Sequence, residues 1–458
     1  MTRENVIREG GTPPGWSWTT LGEVATVLDS QRVPINADER EQRIAHKKPH
    51  EVYPYFGATG QVGWIDSYLF DEELVLLGED GAPFLDPGKN KAYIIKGRCW
   101  VNNHAHVLRA NAGFTLNSYL MHFLNFFDYH GYVTGTTRFK LNQSEMRKIP
   151  IPLAPLLEQR RIVAEIEKQF TRLDAGVAAL KRVQANLKRY RASVLKAACE
   201  GRLAPQDPAD EPADRLLARI LAERRAKWEA EHPGKKYVEP AAAVTDGLPA
   251  LPVGWCWSTI SSVTVLGPQN GLYLPQSAYG SGIPILRIDD YQNGSSRASG
   301  ELRLVRADDD EIKKYRLFEN DLVINRVNSL SHLGKCLLVS PRNLPAIFES
   351  NMMRLRLASG VAPTFVEKWL QSNLGRSLLT QRAKWAVNQA SINQEDIGIT
   401  PVPIPPHPEQ HRIVAEVERR LSVVAEVEAA VVVNLARAGR LRQAVLKRAF
   451  EGKLWSNL

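Results

Sequence analysis

The chain has 458 residues, of which 44% are hydrophobic and 24% are charged, and its formal net charge at pH 7 is +9. This length accommodates two or three domains with cores of their own, and the composition is that of a soluble globular protein. The N-terminal stretch MTRENVIREGG has no apolar signal segment, and no apolar run approaches about 18 residues, which argues against secretion and membrane spanning.

Cysteine usage and charge placement narrow the setting further. Cys99, Cys199, Cys256 and Cys336 form no CxxC pair, so a reducing cytoplasm is expected. Leu156–Leu203 holds 11 Lys/Arg against 5 Asp/Glu, and His407–Leu454 holds 9 against 6, so these two segments carry the whole positive excess. The charge is typical either of solvated helix faces or of surfaces near a polyanion.

The chain is a tandem duplication when read in order. PPGWSWTTLGEVATV (13–27) returns as PVGWCWSTISSVTVL (252–266) at an offset of 239, LFDEELVLL (69–77) returns as LFENDLVIN (317–325) at 248, and KLNQSEM (140–146) returns as SINQEDI (391–397) at 251. Short β-branched runs such as LVLLG, KAYIIKG, IPILRI and DLVINRV predict strands, and helical stretches follow at 118–128 and 365–379. Each copy therefore predicts a mixed, strand-rich α/β domain of ordinary size.

A long helix follows each globular copy. EQRRIVAEIE (158–167) and EQHRIVAEVE (409–418) open two segments of 46 residues that match without an insertion. Pro-rich stretches precede both segments, and Gly201 and Gly452 stand where C-terminal caps belong. At about 1.5 Å per residue each helix would be roughly 65–70 Å long.

The apolar residues of these helices alternate four and three apart, which predicts a coiled-coil seam and paired helices. The seam positions are Ile166, Phe170, Leu173, Val177, Leu180, Leu187, Val194 and Ala198 in the first helix, and Val417, Leu421, Val424, Val431, Leu435, Ala438, Val445 and Ala449 in the second. Polar residues interrupt the seam at Gln184, Arg191, Glu428 and Arg442, where they are expected to set register and partner choice.

The residues after the first long helix read as a linker. APQDPADEP is rich in proline and aspartate, ADRLLARILAERRAKWEAE predicts a short charged helix, and a second flexible piece follows. The predicted boundaries are 1–150 and 251–401 for the globular domains, 151–203 and 402–458 for the long helices, and 204–250 for the linker.

The order of these features resembles the specificity subunit of type I restriction-modification systems over essentially the full chain. The resemblance lies in the doubled GWxW openings, the doubled EQxRIVAEhE helices with EGRL-type ends, and the PQDPADEPA linker; His407 and His411 are where the second copy departs from the pattern. It implies an α+β (mixed) fold: two similar target recognition domains, each followed by a long helix, with the two helices pairing as an antiparallel coiled coil.

The same resemblance implies the function and the partners. Each domain would read one half of a split, asymmetric target in double-stranded DNA, and the helices would set the distance between the halves. Two modification (methyltransferase) subunits and restriction (nuclease and translocase) subunits would bind the chain. It would perform no chemistry itself and bind no cofactor directly, with S-adenosylmethionine, ATP and Mg²⁺ on the partner subunits.

Catalytic and metal-binding alternatives find little support in the residues. FGATG (56–60) has its glycines misplaced for a methyltransferase loop, and neither an NPPY-type tetrapeptide nor a GxxxxGK[ST] loop occurs. Cys99, His104 and His106 fit no standard zinc spacing, so polar groups at a strand edge are favoured over a metal site. A self-sufficient methyltransferase or nuclease, and a coiled-coil scaffold without DNA binding, are the competing functions.

DNA-contact candidates lie mainly in the loops that precede the long helices. Hydroxyl, amide and basic side chains reach phosphates and base edges, although some of these residues also suit helix capping. The candidates are Thr136, Thr137, Arg138 and Lys140 in the first copy and Asn388, Gln389 and Ser391 in the second, with Arg326, Asn328 and Ser329 after strand DLVIN and Lys47 and Lys48 as phosphate contacts or plain solvated residues. Arg326 is the preferred base reader, because arginine to guanine is the commonest specific contact.

The repeated helix starts are the candidates for subunit contact. They are Glu158, Gln159 and Arg161 in the first copy, and Glu409, Gln410 and Arg412 in the second.

Overall fold

The computed structural model describes residues 13–292, 295–329, 332–386 and 389–455. Two compact units emerge: the first takes in the chain up to Val183 and again from Ala430 onwards, and the second is Gln184–Ala429. Each unit thus combines one globular domain with the beginning of one long helix and the end of the other. The fold is mixed α/β with two similar strand-rich domains, as the sequence predicts.

The first globular domain is built from short strands with few helices. In chain order its elements are β1 (Ser17–Thr20), α1 (Leu21–Val24), β2 (Ala25–Val27), α2 (Ala37–Ile44), β3 (Tyr53–Gly57), β4 (Gly60–Ile65), β5 (Phe70–Asp71), β6 (Leu74–Gly78), β7 (Ala92–Ile95), β8 (Arg98–Val101), β9 (Ala105–Ala110), α3 (Asn117–Phe126), β10 (Val133–Thr134), β11 (Lys140–Leu141), α4 (Gln143–Arg147) and β12 (Pro150–Leu153). The helix α5 (Leu156–Cys199) follows, and then α6 (Ala213–Glu231).

Two four-stranded sheets form most of this domain. One is antiparallel in the order β2-β9-β6-β7, and its central strand β6 is an apolar run buried at every residue, as a strand covered on both faces should be. The other has the order β4-β3-β8-β5. Separately, β1 pairs with the Pro-rich β12, with Trp18 opposite Pro152, so the GWxW opening lies beside the entrance to α5.

The second globular domain repeats this plan. Its elements are β13 (Cys256–Thr259), β14 (Thr264–Asn270), β15 (Tyr279–Leu286), β16 (Tyr291–Gln292), β17 (Ser295–Ser296), β18 (Arg303–Val305), α7 (Asp309–Tyr315), β19 (Leu322–Asn325), β20 (Val327–Asn328), β21 (Cys336–Leu338), β22 (Ile347–Phe348), β23 (Met352–Leu357), α8 (Pro363–Gln371), α9 (Asn373–Thr380), β24 (Lys384–Ala386), β25 (Gln389–Ser391), α10 (Gln394–Gly398), β26 (Pro401–Ile404) and α11 (His407–Phe450). The order β14-β23-β19-β21 matches that of the first antiparallel sheet, and β13 pairs with β26 as β1 pairs with β12.

One predicted helix is two. The sequence predicts a single helix over 365–379, but the backbone of Ser372 is extended, and its side chain accepts a hydrogen bond from Gly375 N as the cap of α9. Ser372 therefore ends α8 and starts α9, because a capping serine competes with helix continuation.

The long helices pair antiparallel within each unit. In the first unit Asp174, early in α5, forms an ion pair with Arg442, late in α11; in the second unit Arg191 and Glu428 pair at 3.0 Å. Every predicted apolar seam position is buried or half-buried, which confirms the 4-3 pattern, whereas Gln184 is exposed. Gly201 and Gly452 have φ of +64° and +68° just past the helix ends, as C-terminal caps require. Among the described residues no helix is both long and apolar enough to cross a membrane.

The predicted linker is part of the second unit. Ala213, Leu216 and Ile220 of α6 are buried in that unit's core. Ahead of α6, the Asp210 carboxylate accepts from Arg412 Nη2 at 2.5 Å. These contacts replace the predicted flexibility with a docked segment, because α6 has an apolar stripe that must be covered.

Candidate nucleic-acid interface

In the first unit, Thr136, Thr137, Arg138 and Lys140 lie on the exposed turn and return strand of the β10–β11 pair. The turn depends on Gly135, whose φ is +99° and where a Cβ would collide with the Arg138 carbonyl. Glycine therefore allows the tight turn that places the basic side chains at its tip.

Arg138 is held at one point and open at others. Its Nε donates to Asp80 Oδ1 at 2.7 Å, while 62% of its side chain is exposed. Both Nη groups lack a partner among the described residues, which leaves donors for a phosphate or a base edge. An open cleft beside it is lined by polar groups from four segments: Thr59, Asp80, Asn102 with His104, and Thr137.

An ion network adjoins this cleft, and its members other than Lys140 are largely buried. Arg32 Nη1 lies 2.7 Å from Glu79 Oε2, and Lys140 Nζ lies 3.7 Å from Glu79 Oε1. His106 faces Asp29 Oδ2 at 2.6 Å and the Leu141 carbonyl at 2.8 Å. Burial acts to raise the pKa of Asp29, but the interactions with His106, the hydrogen bond from Val107 N and the charge of Arg32 together hold that pKa below its ordinary value.

The structure does not bring the sequence's metal-ligand candidates together. Cys99 lies in the apolar cluster with Val107, whereas the neighbouring His106 side chain contacts Asp29. Alternation along β9 explains the separation, since successive side chains point to opposite faces. The side chains of Asp29, Glu79 and His106 do lie close together. Each already has a protein partner: Arg32 pairs with Asp29 and with Glu79, and His106 contacts the Leu141 carbonyl.

In the second unit, two candidate stretches that are far apart in sequence share one sheet in the order β20-β25-β24. Val327 pairs with Ser391 and Asn328 with Ala390, so Asn328 and Ser391 are brought together, with Gln389 exposed at the strand's start. Ser329, exposed, follows β20 directly. Asn388 lies outside the described residues.

Arg326, the preferred base reader, is less available than its sequence position suggests. It is half-buried, its Nη1 donates to the Ser350 carbonyl at 3.1 Å, and its Nε is buried with no hydrogen-bond partner in the part of the chain that the structure describes. Part of its hydrogen-bonding capacity is therefore used within the domain, and Ser329 and Gln389 are the exposed members of this group, whereas Asn328 is half-buried like Arg326.

Matched positions in the two units carry opposite charge. Leu141 N donates to the Glu79 carbonyl at 2.8 Å, and Ile392 N donates to the Arg326 carbonyl at 2.9 Å, which makes Glu79 and Arg326 structural counterparts. A shared backbone arrangement thus supports different side-chain chemistry in each unit.

The sequence reasoning missed Trp385 on β24. Its side chain is 69% exposed, next to Lys384 and on the strand that pairs with β25. An exposed tryptophan within a polar, basic hairpin is suited to stacking on bases or on sugar, and its position in a polar loop was the available signal. Lys47 and Lys48 are exposed after α2, and among the described residues no hydrogen bond or ion pair joins them to the cleft.

The candidate subunit-contact residues divide into buried and accessible members. Gln159 and Gln410 are fully buried and Glu409 is 1% exposed. Gln159 binds the Phe114 and Ala154 carbonyls, Gln410 accepts from Ala362 N, and Glu409 accepts from Trp255 Nε1 at 3.0 Å.

These three residues do not fit a contact with another subunit, because their side chains are buried and hydrogen-bonded within their own units. Arg161 is exposed and lies over the Trp455 ring, and Glu158 is half-buried. Arg412 holds Asp210, as described above.

Comparison with known proteins shows which family this chain resembles. The family model described as the type I restriction modification DNA specificity domain matches residues 13–185 and 252–421, one match for each copy. The EcoKI specificity subunit of a type I restriction enzyme of Escherichia coli (strain K12) is 26% identical over 308 residues, covering 67% of this chain and 58% of that protein. The EcoDI specificity subunit of Escherichia coli is 23% identical over 461 residues, covering 97% and 90%.

The matches differ in extent. With the EcoKI and EcoBI specificity subunits of Escherichia coli the chain spans 58% and 60% of the relative's length. A chain from a solved structure concerned with complex assembly and conformational transition of the type I R-M system has a TM-score of 0.59 and 20% identity, covering 97% of this chain and 99% of that one. This likeness shows a shared fold.

Proposed function

We propose, on the premise that this chain belongs to the family of type I restriction-modification DNA specificity domains, that it selects the DNA sequence on which a type I restriction-modification enzyme acts. The observation that carries the proposal is the double match: the specificity domain occurs twice, and each copy ends in an exposed polar hairpin before a long helix.

The target is bipartite and asymmetric. The first unit offers Arg138 and its neighbouring threonines, whereas the second offers Asn328, Gln389 and Trp385. Arginine favours guanine and asparagine or glutamine favours adenine, so the two halves of the target differ in sequence. The opposite charges of Glu79 and Arg326 at matched positions support the same reading.

The long helices supply spacing and partner binding. Each has 44 residues, so neither copy has gained or lost a turn, and a fixed helix length suits a fixed distance between the half-sites. Antiparallel pairing gives each unit one helix start and one helix end, so the chain presents equivalent surfaces twice. Two modification subunits bind these surfaces, and restriction subunits join the complex.

The chain itself performs no chemistry in this proposal. S-adenosylmethionine, ATP and Mg²⁺ bind to the partner subunits, which carry out methylation and cleavage. The specificity chain contributes sequence reading and assembly.

Methylome sequencing of cells that co-express this chain with its modification subunit tests the proposal. A methylated motif of two different half-sites separated by an unread gap of fixed length is the expected result. A continuous motif, or methylation that is unchanged when this chain is deleted, would refute it. DNA binding by the complex should also weaken steeply with salt, since phosphate contacts release counterions.

A further inference from the structure

An aromatic cluster closes the first unit where α11 ends. The Phe450 ring lies 5.3 Å from Tyr119, 5.1 Å from Phe123 and 5.8 Å from Phe126, measured between ring centroids. Phe450 is 1% exposed, so its ring fills the space between α11 and α3. The pairs with Tyr119 and Phe123 are edge to face and the pair with Phe126 is stacked, and both arrangements contribute beyond their buried area.

The second unit has the same site with two of these rings missing. Cys199 corresponds to Phe450 at the offset of 251 that relates the long helices. Gln159 accepts from Leu116 N as Gln410 accepts from Ala362 N, and this hydrogen bond aligns α3 with α8. By that alignment Phe365, Trp369 and Ser372 are the counterparts of Tyr119, Phe123 and Phe126. Cysteine and serine thus replace two phenylalanines.

A cavity lies where those rings would be. Its volume is ≈ 470 Å³, and Cys199, Ser372, Trp369, Trp257 and Leu374 line it. Pockets of about 300–1,000 Å³ with apolar walls and few polar groups are typical ligand sites. Trp257 and Trp369 meet edge to face at 5.7 Å, so aromatic surfaces line the wall.

Two further observations define the chemistry of this aromatic pocket. Burial raises the pKa of the Cys199 thiol to about 12, so the sulfur stays protonated and acts as a small apolar surface rather than a nucleophile. Lys196, Glu200 and Asn373 also line the cavity and supply polar groups. Apolar walls with a few charged and amide groups suit a protein side chain presented from a polar surface.

We propose that the aromatic pocket receives one aromatic side chain of a partner protein. The occupant's chemistry follows from the first unit, where a phenyl ring fills the matched space. Aromatic anchors in desolvated pockets are the usual centres of protein interfaces. The partner's identity rests on the proposed function: it is the modification subunit that binds the second unit, whose contact differs at this one point from that of the modification subunit on the first unit.

Side-chain analogues test the pocket itself. Toluene, p-cresol and 3-methylindole are titrated against the full chain and followed by saturation-transfer NMR. Saturable binding is expected for the wild type, and at least tenfold weaker binding for Cys199→Phe, whose ring restores the arrangement of the first unit. Asn434→Phe, which adds a phenyl group at an exposed position of α11, should bind the analogues as the wild type does.

The folded state of the variant is checked separately. Cys199→Phe should unfold at a temperature no lower than the wild type, because the added ring enters existing space. The proposed binding pocket is refuted if none of the three analogues binds, or if wild type and Cys199→Phe bind them equally. If Cys199→Phe proves unstable, Leu374→Trp adds aromatic surface at another lining position of the same cavity and must weaken binding likewise.

The partner is tested with the purified modification subunit. Of its two binding steps, one should weaken at least tenfold with Cys199→Phe, and both should be unchanged with Asn434→Phe. Analogue binding combined with an unchanged subunit affinity would overturn the partner assignment and make a free small molecule the occupant. Absence of a bipartite methylated motif with the wild-type chain would instead refute the proposed function and leave the analogue result standing.

Discussion

Replacing Gln159 by leucine should loosen the junction between the first globular domain and α5. The Gln159 side chain is fully buried, and its Nε2 donates to the Phe114 and Ala154 carbonyls, both at 2.8 Å. Its Oε1 accepts from Leu116 N at 3.2 Å and from Thr115 Oγ1 at 3.1 Å. Leucine keeps most of the volume but satisfies none of these groups.

The size of the effect follows from the groups left unpaired. A buried donor or acceptor without a partner costs about 1–3 kcal/mol, and partial relaxation lowers the sum for three backbone groups to roughly 3–5 kcal/mol. Because a chain of two units does not unfold as one step, hydrogen exchange of the Leu116 amide is the suitable assay. The free energy of opening measured at this amide should fall by about that amount. The measured fall is smaller if, in the wild type, the amide exchanges only by unfolding of the whole first unit.

Gln184→Leu is the matched control, since Gln184 lies on the same helix and is exposed. It should leave exchange at Leu116 within about 0.5 kcal/mol of the wild type. Equal exchange of the Leu116 amide in Gln159→Leu and Gln184→Leu would show that the buried amide does not anchor the helix start.

The remaining predictions concern pH, DNA reading and spacing. Burial, with a contribution from Arg442, lowers the pKa of His122 from 6.5 to about 4, so the unfolded first unit binds the extra proton. Its stability should therefore fall by roughly 3 kcal/mol as pH drops from about 6.5 to about 4, and His122→Phe should flatten this dependence in thermal unfolding. Arg138→Ala should weaken binding of the target DNA about tenfold and reduce sequence specificity at one half-site only, as measured by anisotropy with single-base variants of the DNA. Gln389→Ala should reduce specificity at the other half-site. If both variants affected the same half-site, the assignment of one half-site to each unit would be wrong. One extra heptad in both long helices should lengthen the unread gap by about three base pairs, since seven residues rise about 10 Å and base pairs stack 3.4 Å apart; methylome sequencing that found altered half-sites would contradict the spacing role.

The local pattern of the sequence determined the framework of this protein. The 4-3 spacing from Ile166 to Ala198 predicted a seam that the structure buries, and the glycines at 201 and 452 predicted the helix ends. These features depend on side-chain periodicity and backbone conformation within one element, so a single stretch of sequence contains them. The tandem repeat likewise predicted two similar domains.

Only the tertiary structure decided what the polar residues of that framework do. Gln159 and Glu409 look like surface residues of a charged helix, yet one binds the Phe114 carbonyl and the other Trp255, 45 and 154 positions away in the chain. Arg326 is half-buried and donates to the Ser350 carbonyl. The helix α6 packs into the core of the second unit, although the sequence predicts it as part of a linker. Burial and hydrogen-bond partners are set by residues distant in sequence, and the exchange of Phe450 for Cys199 acquires meaning only when the surrounding rings are in place.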